Sequence, residues 1–160
     1  MPTYTQPTAL AVLDPRELSQ TLLLALEEAI RTAERYDDRA ASARPSPEKW
    51  SAKEVFGHLI DSAGNNLQRI VRLSLEPTLD LPGYDGEAWV AMQHYADRPW
   101  SEVVSLCHTL NLHLAHVIAQ VNKKHLGRVW RFEGRDWTLG FIIEDYVAHL
   151  RHHLEALPPA

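Results

Sequence analysis

His149 and His153 stand four residues apart in the segment EDYVAHLRHHLEAL, and His58 lies in WSAKEVFGHLIDSAGNNLQRI. An H-x3-H pair on a helix puts two imidazoles one turn apart, roughly 6 Å between Cβ atoms, close enough for both to reach one ion. Taken alone, such a pair is often no more than a solvated helix face. Helical wheels drawn at about 100° per residue add weight. Ile142, Ile143, Tyr146, Leu150, Leu154 and Leu157 fill one arc with His149 and His153 on its edge, Glu144, Arg151 and Glu155 lie opposite, and His152 points farther toward solvent. Around His58, an apolar arc of Ala52, Val55, Leu59, Ala63, Leu67 and Ile70 is bordered by Glu54, His58, Asp61, Ser62, Asn65 and Arg69. Polar groups at the border of a core are costly unless they meet partners, so this row reads as the wall of a pocket. Three neutral imidazoles suit zinc, nickel, copper or iron and leave coordination positions open, as in reactive rather than closed structural sites. The wheels put all three rings on the border between core and solvent, which predicts an accessible ion at the mouth of the fold.

A divalent ion lowers the pKa of a bound thiol or water toward neutrality, so no strong base is required beside it. Glu54, Asp61, Asn65 and Arg69 are then the candidates for orienting a substrate or moving protons. Asp145, four residues before His149, and Asp61, three after His58, can each orient a ligating ring or be an ordinary surface carboxylate. Six further histidines carry less weight: His113 and His116 read as a partly exposed helix face, and His94, His108 and His125, like His152, as surface residues. Cys107 is the one cysteine of the chain, so neither an internal disulfide nor a multi-thiolate site is available. Its place beside Leu106 reads as a small buried residue.

The elements that must position these side chains are four predicted helices. Asp14-Pro15-Arg16-Glu17 carries an N-cap carboxylate, proline at the first helical position and a capping-box glutamate, and opens a helix to about Arg39. Ser51-Ala52-Lys53-Glu54 is a second capping box, with Trp50 placed to fix chain entry, and opens a helix to about Ser74. Asp97 and Pro99 announce a third, to about Asn122, and Thr138 caps a fourth that Pro158 ends. The proline- and glycine-containing stretch 76–97 reads as a long functional connection, with EAWVAMQHY as a minor helix across the bundle. RVWRFEGRDW alternates around Glu133-Gly134, the pattern of an extended pair or irregular turn. Four amphipathic helices of about 18 to 25 residues, with two short connections and one long, predict an all-α, up-and-down four-helix bundle. Residues 1–160 then form one domain, with 1–12 and 158–160 frayed.

Composition narrows the partners. A net charge of -5, from 21 acidic and 16 basic residues with no basic run, leaves no electrostatic footprint for nucleic acid or an anionic membrane. The start MPTYTQPTALAVL lacks a signal-peptide pattern, and no segment approaches about 18 continuous apolar residues. A cytoplasmic protein acting on a small molecule is expected.

The segment W-S-x-x-E-V-x-x-H-L-x-D around His58, with the H-x-x-H-H-L close of the last helix, resembles the DinB-like superfamily, also called YfiT-like metal-dependent hydrolases. The resemblance extends in outline over all four helices, but its specific content is these two segments. It implies a four-helix bundle, often a homodimer, with nickel or zinc held by the histidines that fall on His58, His149 and His153. It also implies chemistry of the kind seen in relatives: S-transfer from low-molecular-weight thiols such as bacillithiol or mycothiol, thiol-dependent isomerisation, or hydrolysis. A metal-binding stress or interaction protein without turnover is the competing reading.

Overall fold

The computed structural model describes residues 3–158 and 160; expectations for residues 1, 2 and 159 lie outside the described residues. Four long helices form the body: α1 (Pro15–Ala33), α3 (Ala52–Leu75), α5 (Trp100–Ala119) and α6 (Leu139–Glu155). Two short helices, α2 (Asp38–Ser42) and α4 (Gly86–Gln93), interrupt the connections. The N-caps read at Asp14, Ser51 and Thr138 are made, and the capping box forms at Ser51–Glu54 but not at Asp14–Glu17. The Asp14 carboxylate accepts from the Arg16 amide at 2.8 Å. Ser51 Oγ accepts from the Glu54 amide at 3.3 Å while Glu54 Oε2 accepts from the Ser51 amide at 2.9 Å, and Thr138 caps α6 through the Phe141 amide.

The bundle is not a simple up-and-down one. α1 packs on α5 and α6, and α3 packs on α5 and α6, so the pairs consecutive among the long helices, α1 with α3 and α5 with α6, sit across the bundle diagonal. Short loops join only neighbouring antiparallel helices, so 34–51 and 120–138, which cross the diagonal, are long where two short connections were expected; 76–99 joins the neighbours α3 and α5 and is long because it carries β1 and α4. The first helix also stops earlier than its periodicity predicted. Tyr36 turns inward against Trp100, with ring centroids 5.9 Å apart, and Asp37 starts α2 by accepting from the Ala40 amide at 2.7 Å.

Nor is the chain strictly all-α. β2 (Val129–Phe132) and β3 (Arg135–Thr138) form the hairpin that the alternating pattern indicated, around Glu133 and Gly134 at φ 51° and 72°, the left-handed pair of a tight two-residue turn. β1 (Thr78–Asp80) then pairs parallel with β2 and completes a three-stranded sheet in the order β1-β2-β3. Three residues are too few to show periodicity, so this strand was not legible. The sheet ties the α3–α5 connection to the α5–α6 connection, and the Trp130 indole N–H fixes it by donating to the Leu81 carbonyl at 2.9 Å.

The core lies between the long helices, with Leu22, Leu26, Phe56, Leu59, Ile70, Leu114, Ile118 and Ile143 essentially inaccessible. Each such side chain contributes about 1.5–3 kcal/mol by leaving water. Together they hold α3 and α6 face to face, which is what the three histidines need.

Candidate metal centre

His58 projects from the second turn of α3, and His149 and His153 from the last two turns of α6. One nitrogen from each lies within 4.8 Å of the others. His58 Nε2 and His149 Nε2 are 3.0 Å apart. Two nitrogens each about 2.0–2.1 Å from a shared ion lie at about this spacing or slightly more. His149 Nδ1 is 3.3 Å from Ser62 Oγ, which leaves Nε2 as its coordinating atom. His153 Nε2 and His58 Nδ1 are buried without a hydrogen-bond partner among the described residues. A buried imidazole nitrogen without a partner loses its hydration uncompensated, and for His153 Nε2 a cation would restore that loss. The donor set therefore fits a divalent transition ion, with three imidazoles and no thiolate.

Burial keeps the donors in the protonation state coordination requires. Desolvation draws His58 down to about 4 and His153 to about 4. His149 is drawn to about 2 by desolvation first and then by the neighbouring rings of His153, His58 and His152. All three are neutral at pH 7.

The border position expected from the wheels is corrected by the structure. His58 and His149 are 8% and 7% exposed; only His153 is half-buried. What covers them comes from outside the four helices. The Trp50 ring sits 4.9 Å from His58 and 6.2 Å from His153. Gly86, at the start of α4, lies so close to His58 that a Cβ there would be 3.0 Å from Cε1 and 3.1 Å from Nδ1. The Tyr4 ring packs edge-on against His149 at 4.7 Å. The N-terminal stretch, read as frayed, is laid over the site: the Tyr4 and Thr5 amides donate to Asp145 Oδ1 at 2.5 and 3.1 Å, and Thr8 donates to Glu144 through its amide and its hydroxyl.

Beside the triad opens a cavity of about 280 Å³. The face of α3 that carries His58 continues along it through Ser62, Asn66 and Arg69, and the opposite wall comes from Tyr84, Trp130 and Phe132 of the sheet and its connection, with Tyr146 of α6. Of the four candidates for orienting substrate, the structure brings only Arg69 to this cavity. Glu54 completes the α3 cap and pairs with Arg44. Asp61 faces away, accepting from the Tyr95 hydroxyl at 2.8 Å and from Gln93, and makes no bond to His58. Asn65 donates to the Asp61 carbonyl at 2.8 Å. Asp145 reaches the cavity but holds the N-terminal strap rather than a histidine ring. Ser62 belonged to the polar row read as a pocket wall but was given no role, and Asn66 was missed. They lie four and eight residues after His58, and that i, i+4, i+8 spacing was the available signal. Tyr4, Tyr84 and Trp130 come from irregular or non-local segments and carried none. Cys107 is fully buried in α5 beside Asn111, with its thiol pushed up to about 12 by burial, and takes no part.

Residues 21–157 match the family model of the DinB superfamily. No curated protein matches the chain. Among solved structures, YfiT from Bacillus subtilis, described as a probable metal-dependent hydrolase with an unusual four-helix bundle topology, superposes with a TM-score of 0.85 at 19% identity, over 98% of this chain and 91% of that one. At that identity the likeness is one of fold.

Proposed function

The chain belongs to the DinB superfamily, and from that premise we propose that His58, His149 and His153 hold a divalent transition metal, nickel or zinc, at the active site of an enzyme for small molecules. The observation that carries the reading is the convergence of three neutral imidazoles, two of them buried and lining a cavity and the third, His153, half-buried with a ring nitrogen that has no hydrogen-bond partner among the described residues. Bound there, the ion supplies Lewis acidity that lowers the pKa of a nucleophile and polarises its target. The chain's own groups do the rest. Ser62 sets the orientation of the His149 ring. Trp50, Tyr4 and Gly86 exclude bulk water from the imidazoles, and the cavity admits a substrate along the α3 face.

S-transfer from a low-molecular-weight thiol and hydrolysis are the two reactions this centre suits, and the likeness to a probable metal-dependent hydrolase adds to the second. A metal-sequestering protein without turnover needs no cavity beside its ion, so the cavity favours catalysis. Exposed Leu24 on α1 and Leu106 and Leu112 on α5 are apolar surface in keeping with a homodimer. No helix among the described residues is long and apolar enough to cross a membrane.

Protein purified without a histidine tag tests the reading. Elemental analysis is expected to find close to one nickel or zinc per chain, lost in His149→Ala and His153→Ala. A panel of thiols with electrophiles, and of esters and amides, is expected to show turnover that the same variants abolish. A wild-type protein free of transition metal, even after incubation with either ion, would refute the centre. Metal without any metal-dependent turnover across the panel would refute the enzyme.

A further inference from the structure

Arg69 is 4% exposed, lines the cavity beside the histidines, and forms no ion pair with any described carboxylate. It donates from Nη1 to Asn66 Oδ1 at 3.2 Å, which uses one of the five N–H donors of a guanidinium. Its plane rests over the Trp130 ring, 4.0 Å from the centroid. Trp130 is itself fully buried and anchored to the Leu81 carbonyl, so the platform is fixed. Lys53, the other buried cation of α3, is treated differently: its ammonium meets Asp38 at 3.1 Å. A buried charge without a counter-ion is strongly disfavoured, and arginine keeps its charge at neutral pH even where burial opposes it. The fold therefore presents a guanidinium that is in no direct ion pair with a described carboxylate to a cavity whose wall also carries Asp145, engaged by the Tyr4 and Thr5 amides, and Glu133.

We propose that Arg69 is the specificity residue of this cavity and recognises a carboxylate on the small-molecule substrate, by the paired N–H donors that match two carboxylate oxygens. Its placement against the histidine centre sets the size of that substrate. Ser62, which touches His149, and Arg69 are seven residues apart on α3, about 10 Å along the helix axis, and helix side chains lean back toward the N-terminus, here toward the histidines. Hydrogen bonds from Arg69 to Asn66 and from Asn66 Nδ2 to Ser62 Oγ at 3.3 Å make one continuous polar edge between the two ends of the site. A short-chain acid fits, with its carboxylate on Arg69 and its reactive group toward the histidines. The second half of this statement rests on the metal-centre reading; the first does not.

The test measures binding of butyrate and hexanoate, and of butyramide and hexanamide, to the full-length protein as purified, by calorimetry, with metal content determined on the same samples. The acids are expected to bind about tenfold or more tightly than the amides. In Arg69→Gln that preference disappears while metal content is unchanged. Equal affinity for acid and amide in the wild type, or a preference that survives in Arg69→Gln, would overturn the proposal. If Arg69→Gln does not fold, a crystal structure with hexanoate decides: a carboxylate within hydrogen-bond distance of Arg69 supports the proposal, and one placed elsewhere or absent overturns it. A wild type that prefers acids yet takes up no metal even after incubation with nickel or zinc would remove the metal centre and leave the Arg69 site standing.

Discussion

Acidifying the metal-free protein from pH 7 to pH 5 will destabilise it through the histidine cluster. In the unfolded chain these side chains titrate near 6.5, whereas burial holds His58 to about 4 and His149 to about 2. Between those values the unfolded state binds protons that the folded state refuses, so stability is fully present above pH 6.5 and is lost as pH falls. For one such ring the loss at pH 5 relative to pH 7 is about 2 kcal/mol, from 1.36 kcal/mol per pH unit of separation. His58 and His149 together therefore cost about 4 kcal/mol, a large share of the roughly 5–15 kcal/mol that holds an ordinary domain together. His153 is half-buried and better screened, and adds less. Asp61 and Asp145, whose carboxyls burial raises, act with the opposite sign, because the folded state takes up their protons first. They offset part of the loss at the acid end of the window. The assay is urea unfolding in the presence of a chelator at pH 7, 6 and 5, followed by far-ultraviolet circular dichroism. His149→Gln is expected to reduce the loss by about half, since one titrating ring is gone. A wild-type stability that stays within about 1 kcal/mol between pH 7 and 5, or an unchanged loss in His149→Gln, would refute the account of these rings as buried and neutral.

Three further outcomes follow from particular contacts. Gly86→Ala places a methyl 3.0 Å from His58 Cε1 and turns that ring, so metal affinity measured by chelator competition is expected to fall by about tenfold while the melting temperature changes little. Tyr4→Ala removes the ring packed on His149 and opens the strap, and is expected to raise the rate at which a chelator strips the metal, followed by stopped-flow absorbance; an unchanged rate would mean the strap does not cover the site in solution. Tyr146→Phe leaves Asn111 Oδ1 without its buried hydroxyl donor, and is expected to cost about 1–3 kcal/mol in urea unfolding.

Much of this protein is local enough to be read along the chain. The capping chemistry of Asp14, Ser51 and Thr138, and the 3.6-residue periodicity behind them, determined where the long helices start. The H-x3-H spacing on α6, with a third histidine beside the apolar arc of α3, determined the triad, because residues one turn apart share a face whatever the rest of the fold does. The wheels also placed Arg69 on the polar border of α3. They could not separate it from Asp61, because a wheel gives direction but not what stands opposite, and the Tyr95 and Gln93 side chains that claim Asp61 come from another segment; Glu54 and Asn65 are taken up locally, by the α3 cap and by the Asp61 carbonyl one turn before.

Tertiary structure alone decided the rest. The diagonal order of the helices, the strand Thr78–Asp80 and the strap at Tyr4 depend on pairings between residues far apart in sequence, for which periodicity carries no signal. The depth of the histidines belongs here too. The helices by themselves leave His58 and His149 on an edge; Trp50, Gly86 and Tyr4, brought in by connections and terminus, close over them and make that edge an interior. Sequence thus determined which donors meet. The non-local cover decided that His58 and His149 are buried and neutral and line a cavity, the conditions on which the proposed metal centre rests.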